Sequence, residues 1–204
     1  FYKKEYKKIK KKLNIIIEDN IIFVADNLGY FYAYNYINNK VIWAKNFKIP
    51  FSSNLKIFKN LIVVSNQTNH LYFVNKLNGD LVKLIPTEET PIKNEFSNNL
   101  SIGNVNNLLF LNSFGSLYSI DLNKLNINWF NNYNQTLNIS PSNIFFGSTV
   151  INNKDVIVVS SNKNTFLVDL KSGSLVRKFN FSSAIKPIII KNLVFLITRN
   201  NFLI

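Results

Sequence analysis

Side chains that could carry out chemistry are few in this sequence of 204 residues. The aspartates Asp121 and Asp169 could act as a general base or bind a hard cation, which prefers carboxylate oxygens. His70, the only histidine, could bind a transition metal. The pairs Ser160-Ser161 and Ser182-Ser183 carry hydroxyls but lack the Gly-x-Ser-x-Gly setting of a hydrolase nucleophile. The elements that position these residues decide whether any of them is catalytic.

The same residues have a structural interpretation. Asp121 and Asp169 occupy a repeat position where Asn35 and Asn75 also stand, and a position that accepts both amide and acid indicates a turn cap. His70 falls in a predicted turn, without a second histidine or a nearby carboxylate in sequence, and we expect it on the surface. The chain has no cysteine, and so no thiolate site or disulfide. We therefore predict no catalytic residue, no cofactor, no metal site and no enzymatic activity.

A repeat organises the chain: an apolar run, a polar turn, an aromatic-led strand, a second turn and a further strand. The apolar runs are residues 21–25, 61–65, 108–112, 156–160 and 193–197. The lead aromatic moves from 32 to 72, 118 and 166, in steps of 40, 46 and 48 residues. Such a period with several short strands is typical of β-propeller blades. The runs are continuously apolar, which predicts burial on both faces of each strand.

The recurring positions of this repeat are assigned structural roles. Glycines, or Asn69, supply the positive φ that tight hairpin turns require, and the turn pair Lys124-Leu125 of the third repeat fits this pattern worst. Trp43 and Trp129 end their strands as docking residues that pack one blade on the next, where repeats two and four have Lys83 and Arg177. The assigned structural positions are Gly29, Tyr32, Asn35, Trp43, Tyr72, Asn75, Gly79, Gly115, Tyr118, Asp121, Trp129, Phe166, Asp169 and Gly173.

The net charge of +13 permits an anionic partner such as nucleic acid or a membrane. Lys, Asn, Ile and Phe dominate the composition, and their AT-rich codons explain the charge by coding bias. Beyond residue 12 the lysines are scattered singly, as on a solvated face. We therefore expect no nucleic-acid partner. No apolar run approaches the ~18 residues that span a bilayer.

Three segments leave alternatives open. Residues 1–12 hold seven lysines and form either a basic linker, or the end of a preceding blade, or an amphipathic helix on a membrane surface, with Tyr2, Tyr6, Ile9 and Leu13 on one face. The long segments 84–107, with Glu88, Glu89 and Glu95, and 131–153 are either binding loops or variable surface loops.

Residues 21–43 carry a family resemblance. The order apolar run, Asp-x-x-Gly-x-Phe-Tyr-Ala-Tyr-Asn, then Lys-Val-Ile-Trp resembles the PQQ-type propeller repeat, with its Tyr-Ala-Leu-Asp core and Gly-Lys-x-x-Trp ending. The resemblance covers about residues 13–204, as units near 13–51, 52–99, 100–147, 148–184 and a partial 185–204. It implies an all-β propeller of four-stranded antiparallel blades. About four blades and part of a fifth are expected here, from a ring of up to eight.

Two branches of that class imply different functions. The short repeats, the segment 43–51 and the sparse chemistry look more like the BamB family. In that family the propeller is a lipid-anchored scaffold on the periplasmic face of the outer membrane of Gram-negative bacteria. It docks on the central barrel-assembly subunit and helps deliver unfolded barrel proteins. The alternatives are a fragment of a quinone-dependent dehydrogenase, which implies a bound quinone, Ca²⁺, a catalytic carboxylate and often a disulfide, or a generic protein-binding propeller.

Overall fold

The computed structural model describes residues 10–89, 97–103, 106–133, 147, 149–161, 163–183, 185–191 and 193–204. In these ranges the chain is all-β: four four-stranded sheets and one hairpin, with no helix. The described residues therefore contain no helix that could cross a bilayer. The predicted fold class, a β-propeller array of four-stranded antiparallel blades, is confirmed.

Each blade is a meander in which strands adjacent in sequence pair antiparallel. Blade 1 comprises β1 (Leu13–Glu18), β2 (Ile21–Asp26), β3 (Tyr30–Asn35) and β4 (Lys40–Asn46). Blade 2 comprises β5 (Lys56–Phe58), β6 (Leu61–Ser65), β7 (Leu71–Asn75) and β8 (Leu81–Ile85). Blade 3 comprises β9 (Asn99–Ile102), β10 (Asn107–Leu111), β11 (Ser116–Asp121) and β12 (Asn126–Asn132). Blade 4 comprises β13 (Ile151–Asn152), β14 (Val156–Ser160), β15 (Thr165–Asp169) and β16 (Leu175–Phe179), and the hairpin that follows comprises β17 (Ile188–Ile190) and β18 (Leu193–Phe195).

Every predicted apolar run contains a strand, namely β2, β6, β10, β14 and β18. Each run is the second strand of its sheet, because one short strand precedes it. The first strands of successive blades approach each other, β5 with β9 and β13 with β17, which places them on the inside of the array. The strands that carry Trp43 and Trp129 are therefore the fourth, outer strands. Both tryptophans lie in mid-strand rather than at a strand end, since β4 and β12 continue for three further residues.

The apolar cores lie between blades. In β6, Ile62 and Val64 join the core shared with blade 1, whereas Val63 between them joins the core shared with blade 3. Alternate side chains of a strand point to opposite faces, so a strand between two neighbours must be apolar at every position. Similar cores join blade 3 to blade 4 and blade 4 to the hairpin. The continuous apolar runs are thus a consequence of stacking blades face to face.

Side-chain caps shape the turns between the second and third strands. Asp26 Oδ1 accepts hydrogen bonds from the backbone N–H groups of Leu28 and Tyr30, both at 2.9 Å. Asn66 and Asn112 do the same in blades 2 and 3. The left-handed residue of these turns is Gly29 (φ 90°), Asn69 (φ 71°) or Gly115 (φ 80°). In blade 4, Ser161 Oγ accepts from the Asn164 N–H.

Several predictions fall on residues outside the described ranges. They concern residues 1–9 of the basic segment, Glu95, and most of 131–153. The remaining lysines, 10–12, are held against the turn of blade 1: Asn27 Nδ2 donates to the Lys10 carbonyl, and the Lys12 N–H donates to Asn27 Oδ1. This described part of the segment is not helical. The proposed boundaries of the repeat units stay a prediction.

Candidate functional site

The two candidate catalytic aspartates cap turns between third and fourth strands. Asp121 Oδ1 accepts from the N–H groups of Asn123 and Lys124, and Asp169 Oδ1 accepts from those of Lys171 and Ser172 and from the Ser172 hydroxyl. The Lys124 N–H is the main cause that lowers the pKa of Asp121, and the Ser172 hydroxyl is the main cause that lowers the pKa of Asp169. Both groups are therefore stabilised as anions, which is the opposite of a base held ready to accept a proton.

Asparagine does the same work in blades 1 and 2. Asn35 Oδ1 accepts from the N–H groups of Ile37 and Asn38, and Asn75 Oδ1 accepts from that of Leu77. The residue in left-handed conformation at the end of each such turn is Asn39 (φ 53°), Gly79 (φ 75°), Leu125 (φ 55°) or Gly173 (φ 72°). At this position a carboxylate oxygen and an amide oxygen can accept the same hydrogen bonds from the turn, which explains why both residue types occur there.

His70 differs from its expected surface setting. Its side chain is only 15% exposed, and Nε2 lies 3.1 Å from Glu89 Oε1, although the two atoms lack hydrogen-bond geometry. A carboxylate that is distant in sequence therefore lies beside His70. The chain folds back after β8 and returns Glu89, 19 residues later, to the turn that holds His70. Among the described residues no group of three or more His, Cys, Asp or Glu side chains could hold a metal ion.

The segment after β8 also bridges blades 2 and 3. Thr87 Oγ1 donates to the Asn69 carbonyl, and Asn69 Nδ2 donates to the Glu88 carbonyl. Glu88 Oε2 in turn accepts from Asn112 Nδ2 at 3.0 Å and from the Tyr118 hydroxyl at 3.4 Å. Burial, and then the Glu88 charge, raise the pKa of Tyr118 to about 12. The sequence placed Glu88 in a candidate loop without indicating these partners.

The lead aromatic positions and the serine pairs lie in the packed interior. Tyr72, Tyr118 and Phe166 are buried in third strands, and Tyr32 is half-buried in the equivalent place. Ser160 Oγ accepts from the Ser183 backbone N–H at 2.7 Å and contacts Thr165 Oγ1 at 3.1 Å. These hydroxyls join the start of the hairpin to blade 4.

Two tryptophans dock blades on their neighbours. Trp43 Nε1 donates to the Lys76 carbonyl at 2.9 Å, and the Trp43 ring covers Gly79 in blade 2. Trp129 Nε1 donates to the Leu170 carbonyl at 3.2 Å, and its ring covers Gly173 in blade 4.

The interface between blades 2 and 3 has neither residue. Lys83 stands at the tryptophan position, and its side chain is exposed. Leu125 replaces the glycine and packs against the shared core. A tryptophan in one blade thus goes with a glycine in the next.

The outer strands form an apolar rim with a recurring irregularity. Each has a β-bulge, where one residue is skipped in the pairing with the third strand: Ile42, Val82, Asn128 or Val176. The bulge lies immediately before the position of Trp43, Lys83, Trp129 or Arg177. Side chains around it are exposed, as at Val41 (61%) and Val176 (57%).

A cavity of about 240 Å³ opens at the lower face, by which we mean the end of the blades where the first strands begin. Equivalent segments of blades 1 and 2 form its walls: the Asn27 N–H donates to the Lys12 carbonyl, and the Gln67 N–H donates to the Pro50 carbonyl. Phe51, which is 2% exposed, lines it as well, and Ser97 contributes from the segment before β9.

Taken together, the blades define a propeller array in which the described candidate catalytic residues serve turns and interfaces. The family model described as outer membrane protein assembly factor BamB matches residues 9–204. The chain therefore belongs to the BamB-like family of PQQ-repeat propellers.

Two solved structures share the fold. One is BamB from Moraxella catarrhalis, with a TM-score of 0.66 and 10% sequence identity, covering 94% of this chain and 58% of that one. The other is the computationally designed Ika8 protein, with a TM-score of 0.71 and 12% identity, covering 93% of this chain and 56% of that one. The chain thus spans a little over half the length of each. No curated protein sequence matches it significantly.

Proposed function

We propose that this chain is part of a non-catalytic scaffold that assists the assembly of β-barrel proteins into the outer membrane. The scaffold acts through protein contacts, at the periplasmic face of that membrane, as a lipoprotein of a Gram-negative bacterium. Its partners are the central barrel-assembly subunit and unfolded barrel proteins. The observation that carries the proposal is the match of residues 9–204 to the BamB family.

The use of the polar residues supports a binding role over catalysis. Asp121 and Asp169 are committed to backbone N–H groups of their own turns. His70 and Glu89 face each other without a third ligand among the described residues. A quinone-dependent dehydrogenase would need a carboxylate free to accept a proton and a set of oxygen ligands for Ca²⁺.

Photocrosslinking in the living bacterium tests the proposal. A photoreactive amino acid replaces one exposed residue on each surface: Tyr30 on the lower face, Ile37 on the opposite face, and Val82 on the rim. We expect at least one position to capture the central barrel-assembly subunit or a barrel precursor, and Phe110, which is fully buried, to serve as the negative control. Deletion of the gene should lower the amounts of outer-membrane barrel proteins.

Two results would contradict the proposal. Absence of crosslinks to assembly components from all three surfaces, with unchanged barrel protein levels in the deletion strain, would remove the assembly role. Tight, Ca²⁺-dependent binding of the quinone cofactor, measured by spectroscopic titration, would overturn the non-catalytic part.

A further inference from the structure

We propose that the cavity at the lower face is a binding site for a carboxylate, and that its occupant is an acidic side chain of a partner polypeptide. The inference goes beyond the assembly role and stands without it, because it concerns the chemistry that the cavity recognises.

The cavity wall carries donors that the described part of the protein does not use. The Lys12 ammonium has no carboxylate oxygen within 4.0 Å among the described residues, whose ion pairs involve other lysines. The side-chain amides of Asn14 and Gln67, which also line the cavity, form no hydrogen bond with described residues. Lys12, Asn14 and Gln67 thus line one recess, and the polar side-chain groups of all three lack a partner among the described residues.

The carboxylate nearest in the turn, Asp26, is not a counter-ion of Lys12 among the described residues. Asp26 is fully buried beside the cavity, but its Oδ1 accepts two turn N–H groups and its Oδ2 lies 3.7 Å from Lys11 Nζ. Asp26 is thus paired with Lys11, and within the described ranges the positive charge of Lys12 is not compensated. One ammonium matches one carboxylate, and an ionised acceptor forms the stronger hydrogen bonds.

The backbone that presents these donors is fixed. Asn27 binds both backbone groups of Lys12. The Lys12 N–H donates to Asn27 Oδ1 at 2.9 Å, and the Asn27 N–H donates to the Lys12 carbonyl at 3.2 Å. Gln67 is tied to the Pro50 carbonyl at 2.9 Å, and Phe51 is immobilised by burial. Such preorganisation lowers the entropy that a ligand loses on binding.

Size favours a side chain over a larger ligand. The cavity, at about 240 Å³, is smaller than the ~300–1,000 Å³ of typical small-molecule sites. It opens to solvent at the surface, so a Glu or Asp side chain could enter while its backbone stays outside. The net charge of +13 would steer an acidic segment toward the protein.

Three short peptides test the inference on the full chain: acetyl-Gly-Gly-Glu-Gly-Gly-amide, the same peptide with Gln for Glu, and the Gln peptide with a free C-terminal carboxylate. Binding is followed by NMR through the side-chain amide signals of Asn14 and Gln67. We expect saturable shifts with the Glu peptide and none with the Gln amide. Equal shifts with both amidated peptides would overturn carboxylate recognition, and binding of the free-acid peptide alone would overturn the assignment to a side chain.

A matched pair of variants separates the cavity from general charge. Lys12→Gln and Lys10→Gln remove the same charge two residues apart, but only Lys12 lines the cavity. We expect Lys12→Gln to weaken binding of the Glu peptide about tenfold, the loss of one charge-assisted hydrogen bond, and Lys10→Gln to change it less than about twofold. Equal losses in both would overturn the proposal.

Discussion

Trp43 lies so close to Gly79 that a Cβ added to this glycine would sit 2.5 Å from Trp43 Cε3. Gly173 and Trp129 repeat the relationship, again at 2.5 Å, two interfaces further on. In each case the ring of one blade occupies the space over a turn of the next. The glycine is required here for its missing side chain as well as for its positive φ.

Gly79→Asn should therefore destabilise the protein although asparagine tolerates the backbone conformation, as Asn39 shows at the equivalent turn of blade 1 (φ 53°). Overpacking against the Trp43 ring costs about 1–3 kcal/mol. Gly79→Ala should lose a further ~1–2 kcal/mol, because alanine disfavours the left-handed region. Urea unfolding midpoints at pH 7 measure both losses.

Removing the ring provides the control for this prediction. In a Trp43→Leu background the Gly79→Asn substitution should cost markedly less, which gives a double-mutant coupling of about 0.5–3 kcal/mol. If the two substitutions are additive, the contact between ring and turn contributes nothing and the glycine is needed for φ alone.

Asn54→Asp should break a bridge between blades 2 and 3. Asn54 Nδ2 donates to the Leu100 carbonyl and Asn54 Oδ1 accepts from the Leu100 N–H, both at 2.8 Å. The aspartate keeps the second bond but faces the carbonyl with an oxygen, at a cost of about 1–3 kcal/mol. This repulsion raises the pKa of the new carboxyl in the folded state. The loss of stability is therefore present at pH 7 and disappears as the pH falls below the pKa of the carboxyl in the unfolded state.

Comparison with Asn54→Ala across pH checks the mechanism. The urea midpoint of the aspartate variant should rise toward that of the wild type between about pH 7 and pH 4, through the ordinary carboxyl range, whereas the alanine deficit should stay constant. A constant deficit in both variants would show that the carboxyl does not face Leu100.

Asp121→Asn and Asp169→Asn should leave the fold intact at pH 7, since Asn35 and Asn75 cap the same turn elsewhere. The pKa of each native carboxyl lies below its usual value of 3.8. The two carboxylates therefore stabilise the folded state above pH 3.8, and this contribution is lost as the pH falls through their folded-state pKa. The doubly substituted protein should lose less stability than the wild type on acidification below about pH 4. Identical acid profiles would contradict the capping role.

Glu88→Gln should lower the pKa of Tyr118 from about 12, because it removes the second largest cause of the shift. Burial, the largest cause, remains, so the value should stay above the ordinary 10.0. Because the chain has nine tyrosines, the ring NMR signal of Tyr118 is followed across pH to measure this pKa. Glu89→Gln is the matched control, since Glu89 faces His70 instead. An equal effect of both substitutions would point to general charge rather than to the contact with Tyr118.

The repeat predicted the strands because its signal is local. Each apolar run, its turn and the aromatic that follows stand within about 15 residues, and hairpin pairing joins the same residues in space. The capping role assigned to Asp121 and Asp169 rested on the same comparison of equivalent turns. Fold class followed from four such units in order.

Contacts between blades could not be predicted in the same way. Trp43 meets Gly79 after 36 residues and Asn54 meets Leu100 after 46, and only the stacking of blades brings them together. The contact between His70 and Glu89 could not be predicted for the same reason, because nothing in the turn around His70 indicates that the chain returns there after β8. The bulges could not be predicted either, because a residue skipped in the pairing leaves the apolar pattern of an outer strand unchanged.

The recurring bulge bears on the tendency of the outer strands to aggregate. Exposed, apolar outer strands such as β8 and β16 would otherwise be templates for aggregation, since a straight edge offers its free N–H and C=O groups to any other strand. A skipped residue in mid-strand bends each edge and breaks its hydrogen-bonding register. Two copies meeting rim to rim would meet the bulge within a few residues of either strand end, so the same irregularity that shapes each blade also interrupts continuous pairing between rims.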